Sequence, residues 1–311
     1  MQFSDRIGRR MKLHDLHVLM SVVQAGSMGK AAALLNTTQS AISRSIADLE
    51  HAIGARLLDR NPRGVEPTQY GSALLKRGVA VFDELKQSVQ DIEFLSDPGA
   101  GELRVEASAA LTEGIVTAVI DRMSRQYPRA VFHVVLAGAP ALYNDLRERR
   151  AEVGVERTFG TVPEDMDVEV LFEDPLVVVT GRKNPWSRRH KVKLAELVNE
   201  PWTWPAGATF DAMVVEAFRA SGVKPPRAAV YADAVNMRLR LAATGRFLTV
   251  VPSLMLKLPT KRVSLKVLPI EFPTMYRQIG IITLKNRTLN PLAQLFIEHT
   301  REVAKTLAKR R

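Results

Sequence analysis

Apolar positions near the start of the chain recur with the period of an α-helix. One stripe has intervals of four, three and four residues: Ile42, Ile46, Leu49 and Ile53. The opposite side of this predicted helix, which begins near Gln39, carries small and polar residues, and Arg44 is its one long cation. A helix with an apolar inner face and a small, polar outer face can enter the major groove of DNA.

The residues before this helix predict two further helices and a tight turn. A first helix is expected from Leu13 to about Ala25, and Ser27 is a good N-cap for a short Ala- and Leu-rich helix. Asn36 and Thr37 form a turn, and Thr38 is placed to cap the next helix. The order is that of a helix-turn-helix. The expected DNA contacts in this part of the chain are Thr37, Thr38, Gln39, Ser40, Ser43 and Arg44.

An Ala-rich helical hairpin of an ordinary core is the alternative, and the following residues argue against it. Gly54 stops the helix, and two short strands are predicted on either side of a turn that carries Arg60 and Arg63. Thr68 then caps a new helix. The pattern is that of a winged helix-turn-helix, with both arginines placed for phosphate or minor-groove contact.

The stretch AGSMGKAAALLNTTQSAISRSIADLEHAIGARLLDRNPRGVEPTQYG, residues 25–71, resembles the DNA-binding domain of LysR-type transcriptional regulators. Members usually carry Pro at the position of Ser40, and Ser is well tolerated in a first helical turn. The resemblance is specific because cap, turn, wing and following helix occur together. Residues 13–67 are therefore expected to form this domain, preceded by a short extension of residues 1–12.

The helix predicted from Thr68 to about Leu95 has an apolar seam with alternating spacings of four and three. The seam consists of Leu74, Gly78, Val81, Leu85, Ser88, Ile92 and Leu95. Packing of this helix on its own domain is the alternative to dimerisation. Charged residues fill most other positions, which favours a linker helix over residues 68–97 that pairs two chains through Leu74, Val81, Leu85 and Ile92. Asp97 to Gly101 is a Pro- and Gly-containing hinge.

The remainder of the chain, residues 101–311, alternates predicted strands and helices. Alternating βα units indicate parallel sheets, and two such lobes joined by crossing strands resemble periplasmic-binding-protein domains. Lobe I is expected over about 101–172 and 278–311, and lobe II over about 173–277. The effector domain of the LysR family has this architecture, so the fold class is α/β and multi-domain.

A ligand of a two-lobed α/β domain is expected in the cleft, at strand carboxyl ends and helix N-termini. The turn after the first strand contains Ser108, Ala109, Ala110 and Thr112, and the family resemblance implies effector binding there. Helix capping by Ser108 and Thr112 is an equal alternative. The other predicted cleft residues are Glu156, Arg157, Thr203, Trp204, Asp233 and Asn236.

Two of these predictions leave alternatives open. Glu156 and Arg157 form an inter-lobe salt bridge as readily as they contact a ligand. Trp202 and Trp204 are assigned to opposite faces of one predicted strand, so one ring is expected in the core and the other, Trp204, toward the cleft. An aromatic ring with a few polar groups suits an anionic ligand or a sugar.

Composition changes this picture little. The net charge of +11 lies mostly in the C-terminal part: residues 1–97 carry 12 Lys and Arg against 11 acids, and the other 214 residues carry 32 against 22. The prediction of DNA binding therefore rests on placed residues, and the C-terminal part is not expected to touch DNA. There is no cysteine, apolar membrane span or signal peptide, which favours a cytoplasmic protein.

No catalytic or metal-ligating constellation stands out among the six scattered histidines, and no cofactor is expected. The resemblance implies a regulator that is no enzyme, binds an interrupted inverted repeat in double-stranded DNA and responds to a small effector. It also implies self-association as a dimer or a dimer of dimers, with RNA polymerase as a further candidate partner and no membrane. The competing hypothesis is a ligand-binding or catalytic domain whose N-terminal helices serve only to dimerise it.

Overall fold

A computed structural model of the protein describes residues 11–61, 64–158, 161–206, 208–256, 264–270 and 276–309. Most of the expected N-terminal extension, the wing residue Arg63 and the end of the helix expected over 253–258 lie outside these ranges. The chain divides into two units, Met1–Val89 and Gln90–Arg311. Each is described by itself.

The first unit is a winged helix-turn-helix, as the sequence predicts. Its helices are α1 (Leu13–Ala25), α2 (Met28–Leu34), α3 (Gln39–Ile53) and the first part of α4 (Gln69–Ser96). Strands β1 (Leu58–Asn61) and β2 (Gly64–Pro67) form an antiparallel wing. Ser27 and Thr38 accept hydrogen bonds from the amides of Lys30 and Ala41, both at 3.2 Å, so both predicted N-caps are confirmed.

The core of this unit lies between α1, α2 and α3. Its fully buried members include Leu16, Leu19, Val22, Ile42, Ile46 and Leu49. The predicted stripe on α3 is confirmed for three of its four residues. Ile53 is the exception, with 38% of its surface exposed, because the helix ends at the next residue, Gly54, and the chain turns away there with φ +80°.

The second unit begins with the end of α4 and continues as alternating strands and helices. Its first elements are β3 (Ala100–Ala107), α5 (Ala109–Leu111), a π-helical turn (Thr112–Val116), α6 (Thr117–Gln126), β4 (Arg129–Leu136), α7 (Ala139–Arg147), β5 (Val153–Arg157) and β6 (Met166–Gly181). The later elements are β7 (Trp202–Trp204), α8 (Ala208–Ala220), β8 (Ala228–Tyr231), α9 (Val235–Ala243), β9 (Leu248–Pro252), β10 (Leu265–Val267), β11 (Tyr276–Leu284) and α10 (Pro291–Lys309). Three 3-10 turns occur at Pro185–Arg188, Leu194–Leu197 and Ser253–Leu256.

Two lobes share one sheet in the described part of this unit, with strand order β4-β3-β5-β11-β6-β9-β7-β8 and β10 beside β6. The expectation of parallel sheets is only partly right. Strands β3, β4 and β5 are parallel to one another, as are β7, β8 and β9, but β6 and β11 run antiparallel to their neighbours. The first half of β6 pairs with β11 in lobe I, and its second half pairs with β9 and β10 in lobe II.

Each lobe has its own apolar core. In lobe I, Val105 and Val155 of the sheet pack with Ile115 and with Phe296 of α10. In lobe II, Trp202, Phe218 and Leu197 are fully buried together. The carboxyl ends of β3 and β5, and those of β7 and β8, lead into the loops that carry the predicted cleft residues.

Candidate DNA interface and effector cleft

The N-terminal turn of α3 presents polar side chains to solvent. Thr37, Thr38, Gln39 and Ser40 are all exposed, as is Arg44 one turn later. The Thr38 hydroxyl lies 2.9 Å from that of Ser40 while it also accepts from the Ala41 amide. Thr38 therefore acts mainly as the cap of α3, and its contact with Ser40 fixes the neighbouring side chain.

Ser43 differs from its expected outward position. It is half-buried, and its hydroxyl donates to the sulfur of Met28 at 3.2 Å. Helix α2 packs across this side of α3, so counting along α3 alone could not place the residue. Ser43 therefore joins α2 to α3 in this structure.

A groove of about 620 Å³ runs beside α3 and shows residues that sequence reasoning missed. Besides Thr38, Ser40 and Arg44, its lining includes Lys12 and His14 at the start of α1. Asp48 lines the groove as well. The signal in the sequence was a cation just before the first helix, where a basic side chain can reach the DNA phosphates.

The wing is held against the turn between α1 and α2. Arg60 of β1 pairs in register with Val65 of β2, and the Arg60 side chain is exposed. The Val65 amide donates to the carbonyl of Gly26 at 3.0 Å. A Cβ on Gly64 would lie 2.7 Å from that same carbonyl oxygen, so the close approach requires glycine.

The predicted dimerisation seam on α4 splits between two faces of the helix. Leu74 packs against the core of the winged helix-turn-helix, and a Cβ on Gly78 would lie 3.0 Å from Leu16. Leu74 is half-buried against its own domain, so its assignment as a pairing residue stays a prediction. Val81, Leu85 and Ile92 are 40%, 44% and 63% exposed. Val89, which the sequence analysis left out, is exposed on the same helix.

The turn after β3 brings Ser108 and Thr112 into the cleft region without side-chain capping bonds. Ser108 has extended backbone angles, and its side chain makes no capping hydrogen bond. The Thr112 hydroxyl donates back to the Ser108 carbonyl at 3.2 Å. The Ser108 hydroxyl oxygen is buried and has no hydrogen-bond partner among the described residues. Its hydrogen-bonding capacity is therefore unused within the described residues.

Glu156 lies beside Ser108. Because Ala107 pairs in register with Val155, the next residues of β3 and β5 are neighbours. The Glu156 side chain is buried, and one carboxyl oxygen accepts from the Arg157 amide at 2.7 Å. Burial raises the pKa of Glu156, while the hydrogen bond from the Arg157 amide and the Arg157 charge oppose the rise. The second carboxyl oxygen has no partner in the described chain.

Arg157 forms a buried ion pair, which decides the alternative left open for it. Its guanidinium donates to Asp174 of β6 at 2.7 Å, and both side chains are buried. The other oxygen of Asp174 accepts from the Ser253 hydroxyl at 2.8 Å and the Leu254 amide at 3.0 Å. Arg157 therefore ties β5 to β6 and to the turn after β9.

Trp204 does not face the cleft, contrary to expectation. Only 3% of its surface is exposed, and its ring packs with Trp202 and Phe218 at centroid distances of 6.4 and 6.2 Å. Side chains two residues apart on a strand point to the same face, so both rings belong on the core side of β7, and the expectation of opposite faces was wrong. Thr203 is also fully buried, and its carbonyl accepts from the Thr249 hydroxyl at 3.0 Å.

Asp233 and Asn236 bracket the entrance of α9. One Asp233 oxygen accepts from the Ala206 amide at 3.2 Å, which fixes the loop after β7. Asn236 donates to Glu113 of lobe I at 2.8 Å. Nearby, Ala110 of lobe I packs into an apolar cluster with Val179, Leu239, Val251 and Met255. The two lobes are therefore in contact around the predicted effector turn.

Arg238 is a buried cation that sequence reasoning did not select. Its guanidinium donates to the Val250 carbonyl at 3.1 Å and to the Thr249 hydroxyl at 3.3 Å. Burial lowers its pKa to about 10, against the opposing effect of Asp233. The Nε atom has no partner among the described residues.

Within the part of the chain that the structure describes, no helix is both long and apolar enough to cross a bilayer. The same residues contain no group of three or more His, Cys, Asp or Glu side chains that could hold a metal ion.

A winged helix-turn-helix joined to a two-lobed α/β domain defines a bacterial type of transcription factor. The family model described as "Bacterial regulatory helix-turn-helix protein, lysR family" matches residues 13–72, and that of the "LysR substrate binding domain" matches residues 96–305. The chain belongs to the LysR family of DNA-binding transcriptional regulators. This membership confirms the resemblance and the expectation of a regulator that is no enzyme.

Curated relatives match along nearly the whole chain. The regulator GbpR of Azospirillum brasilense is 25% identical over 308 residues, which cover 97% of this chain and 89% of GbpR. The dual regulator GltC of Bacillus subtilis (strain 168) is 26% identical over 289 residues, which cover 93% and 96% of the two chains.

Solved structures agree in fold. Full-length CbnR in complex with its target DNA gives a TM-score of 0.55 at 23% identity and covers 94% of this chain and 100% of CbnR. A full-length OxyR variant from Pseudomonas aeruginosa gives a TM-score of 0.66 at 17% identity and covers 95% of each chain.

Proposed function

We propose that the protein regulates transcription as a dimer whose two α3 helices read the half-sites of an interrupted inverted repeat. The observation that carries this proposal is the exposed, capped first turn of α3, with Gln39, Ser40 and Arg44 beside the groove that Lys12 also lines. Side chains of this kind hydrogen-bond to base edges and phosphates. Thr37, Thr38 and Ser43 support the helix, and Arg60 and Arg63 of the wing add backbone contacts. Because its ligand is DNA, the protein acts in the cytoplasm.

Residues 68–97 serve as the dimerisation helix. An exposed apolar stripe on α4 supports this: Val81, Leu85, Val89, Ile92 and Leu95. Such a stripe on a long helix gains stability when a second copy covers it. In this proposal residues 13–67 are the DNA-binding domain and residues 101–311 the effector domain. Two dimers pair into a tetramer, and the protein contacts RNA polymerase.

The effector binds between the lobes, against Ser108, Ala109, Ala110 and Thr112 on one side and Asp233 and Asn236 on the other. The partnerless oxygens of Ser108 and Glu156 favour a ligand that brings hydrogen-bond donors. The buried Glu156 carboxyl offers an anion no attraction, whether the carboxyl is ionised or protonated. Of the two ligand classes that the sequence suggested, a sugar or other polyol therefore fits this end of the cleft better. Arg157, Thr203 and Trp204 shape the surroundings from within the two lobes.

The DNA proposal is tested by measuring the affinity of the full-length protein for its operator, which is first selected from the DNA upstream of its gene. Arg44→Ala should lower operator affinity by roughly 5- to 150-fold, since a base-reading side chain contributes about 1–3 kcal/mol. Arg77→Ala, an exposed cation on α4, is the matched control and should leave affinity unchanged. Equal affinities for wild type and Arg44→Ala at fixed salt would exclude recognition through α3.

The effector proposal is tested by thermal shift of the full-length protein against sugars, amino alcohols and small carboxylic acids. A ligand at a hundred times its Kd should stabilise the protein by about 2.7 kcal/mol. All three tryptophans, Trp186, Trp202 and Trp204, lie in lobe II, so their fluorescence follows the lobe that closes on the ligand. If a sugar stabilises Ser108→Ala as much as the wild type, the ligand does not bind at the Ser108 end of the cleft. Stabilisation by carboxylic acids alone would contradict the assignment to a sugar or polyol.

A further inference from the structure

One segment of lobe II carries six cations and no carboxylate within thirteen residues. It runs from Gly181, the last residue of β6, to Lys193. All six side chains are exposed: Arg182, Lys183, Arg188, Arg189, Lys191 and Lys193. Neither the DNA-binding residues nor the cleft includes any of them, so this concentration of charge has no role in the function proposed above.

Buried contacts fix the backbone of this segment. The Asn184 side chain donates to the Gly245 carbonyl at 2.9 Å and accepts from the Trp186 amide at 2.9 Å. Val192 and Leu194 are inserted into the core of lobe II. The Arg189 guanidinium lies over the Trp186 ring, 5.9 Å from its centroid. Because the backbone is held, the cations form a defined surface on the lobe.

Two cations from other strands extend this surface. Arg246 follows Gly245, whose carbonyl binds Asn184, and Arg246 is exposed. Lys266 of β10 pairs in register with Thr180 of β6, next to the start of the segment, and is also exposed. We call the eight residues the basic edge: Arg182, Lys183, Arg188, Arg189, Lys191, Lys193, Arg246 and Lys266.

The positive charges of the basic edge are not balanced by ion pairs with carboxylates among the described residues. The acids that follow the segment are Glu196, which accepts from the Lys193 amide at 2.7 Å, and Glu200. Eight cations beside two carboxylates leave a strong positive field at this part of lobe II.

The basic edge lies away from the effector cleft. Strand β6 ends at Gly181 and runs antiparallel to β9, whose Thr249 pairs with Val179. Strands β7, β8 and β9 are parallel, so all three begin at the edge where β6 ends. Their carboxyl ends, which lead to Ala206 and Asp233 of the cleft, lie at the opposite edge of the sheet. An effector in the cleft therefore leaves the basic edge free.

We propose that the basic edge binds the phosphate backbone of duplex DNA, independently of base sequence. The winged helix-turn-helix and α4, residues 1–97, carry a net charge of only +1, whereas the remaining residues carry +10. Sequence-independent attraction to DNA arises from Lys and Arg that displace counterions from phosphates. In this protein lobe II supplies that attraction, which reverses the expectation that the C-terminal part does not touch DNA.

An acidic protein is the other macromolecule that the charge could attract, and the surface fits it less well. Protein interfaces depend on aromatic or aliphatic anchors that become buried at their centre. The apolar residues of the segment, Val192 and Leu194, already face the core, and Trp186 is partly covered by Arg189. What remains outside is mainly guanidinium and ammonium groups. Planar guanidinium groups suit phosphate oxygens in particular.

The test measures how binding of the full-length protein to a duplex of random sequence depends on salt. The variant Arg188→Gln/Arg189→Gln/Lys191→Gln removes three cations of the basic edge. The control Arg104→Gln/Lys285→Gln/Lys305→Gln removes three exposed cations of lobe I and changes the net charge equally. Circular dichroism spectra and thermal unfolding of both variants should match the wild type, since all six side chains are exposed.

The slope of log K against log salt should become shallower by up to about 2.7 in the basic-edge variant and stay unchanged in the control. Between about 50 and 200 mM KCl, the ratio of wild-type to variant affinity should then shrink by about fortyfold. Unchanged slopes in both variants, or equal losses in both, would overturn the proposal. If the basic-edge variant binds DNA normally but no longer regulates transcription, the proposal of DNA binding is overturned and an acidic protein partner is favoured.

Discussion

The side-chain amide of Asn236, in the first turn of α9, donates a 2.8 Å hydrogen bond to the Glu113 carboxylate at the start of the π-helical turn. One residue belongs to lobe II and the other to lobe I. Between these elements Ala110 packs with Leu239 and Met255. Contact between the lobes at the effector turn therefore combines one exposed polar link with a small apolar cluster, and a ligand must be accommodated beside both.

The first prediction concerns this link. Asn236→Ala and Glu113→Ala should each lower the unfolding free energy by about 0.5–1.5 kcal/mol, the usual net value of a hydrogen bond. The double variant should lose little more than either single one, because both changes remove the same interaction. Urea unfolding followed by tryptophan fluorescence measures this in lobe II. Additive losses would show that the two residues act separately, and Asn199→Ala is an exposed asparagine control.

The second prediction concerns the buried pair of Arg157 and Asp174. Asp174→Ala should cost about 3–5 kcal/mol of unfolding free energy, because it leaves the Arg157 charge buried without its partner. Glu169→Gln breaks an ion pair with Arg301 at 2.7 Å on the surface of the same strand and should cost less than about 1 kcal/mol. Guanidinium unfolding of the two variants gives the comparison. Similar losses would mean that the buried pair is no more important than an exposed one.

Local chemistry explains which features were predictable from sequence. Ser27, Thr38 and Thr68 predict helix starts because a capping side chain hydrogen-bonds within the first turn of its own helix. At Thr68, for example, the hydroxyl accepts from the Gly71 amide at 3.1 Å. The bounds of α1 and α9, which have no side-chain cap, follow from apolar periodicity. These signals act over a few residues, so they do not depend on the tertiary fold.

Most of the wrong, missed or open assignments depend on packing between distant segments. Leu74 lies on the helix face that its own domain partly covers, and periodicity alone cannot tell that face from a partner seam. Trp204 is an error of a different kind, because residues two apart on a strand share a face and local alternation already places its ring beside that of Trp202 in the core. Asp174 reaches Arg157 because β6 crosses both lobes, a pairing between segments that are far apart in sequence. Strand pairing, which sets these contacts, leaves no local mark in the sequence.

The third prediction tests the approach of α4 to the wing. A Cβ on Gly71 would lie 2.0 Å from the carbonyl oxygen of Leu57, a backbone atom that cannot move aside alone. Gly71→Ala should therefore destabilise the DNA-binding unit by about 3 kcal/mol or more. Gly29→Ala is the matched control, since its Cβ would meet only Gln39 at 3.6 Å, and alanine should stabilise helix α2 by about 0.5–1 kcal/mol.

Thermal unfolding followed by circular dichroism at 222 nm should show both shifts, since this unit is mainly helical and contains no tryptophan. If Gly71→Ala unfolds at the wild-type temperature, the contact between Gly71 of α4 and the Leu57 carbonyl is not as close as the structure shows. Loss of the Gly29→Ala gain would instead point to a constraint on α2 itself.

The last prediction concerns a carboxyl group inside lobe I. Glu106 of β3 is buried beside Asp145 of α7, and burial together with the neighbouring carboxyl raises the pKa of Glu106 to about 7. Arg150 donates to Asp145 at 2.8 Å and lowers the pKa of Asp145, so the Glu106 carboxyl holds the proton of this pair. The folded protein thus binds a proton that the unfolded chain releases at lower pH.

Because the folded pKa exceeds the unfolded one, Glu106 lowers stability progressively as pH rises from about 4.5 to about 7, and the full cost is present above that range. Glu106→Gln should remove this dependence and raise the unfolding free energy at pH 8, relative to its value at pH 4.5, by up to about 3 kcal/mol compared with wild type. The exposed Glu216→Gln variant should follow the wild-type pH profile. Urea unfolding across this pH range measures the three proteins, and parallel profiles for wild type and Glu106→Gln would show that Glu106 is ionised in the folded protein throughout.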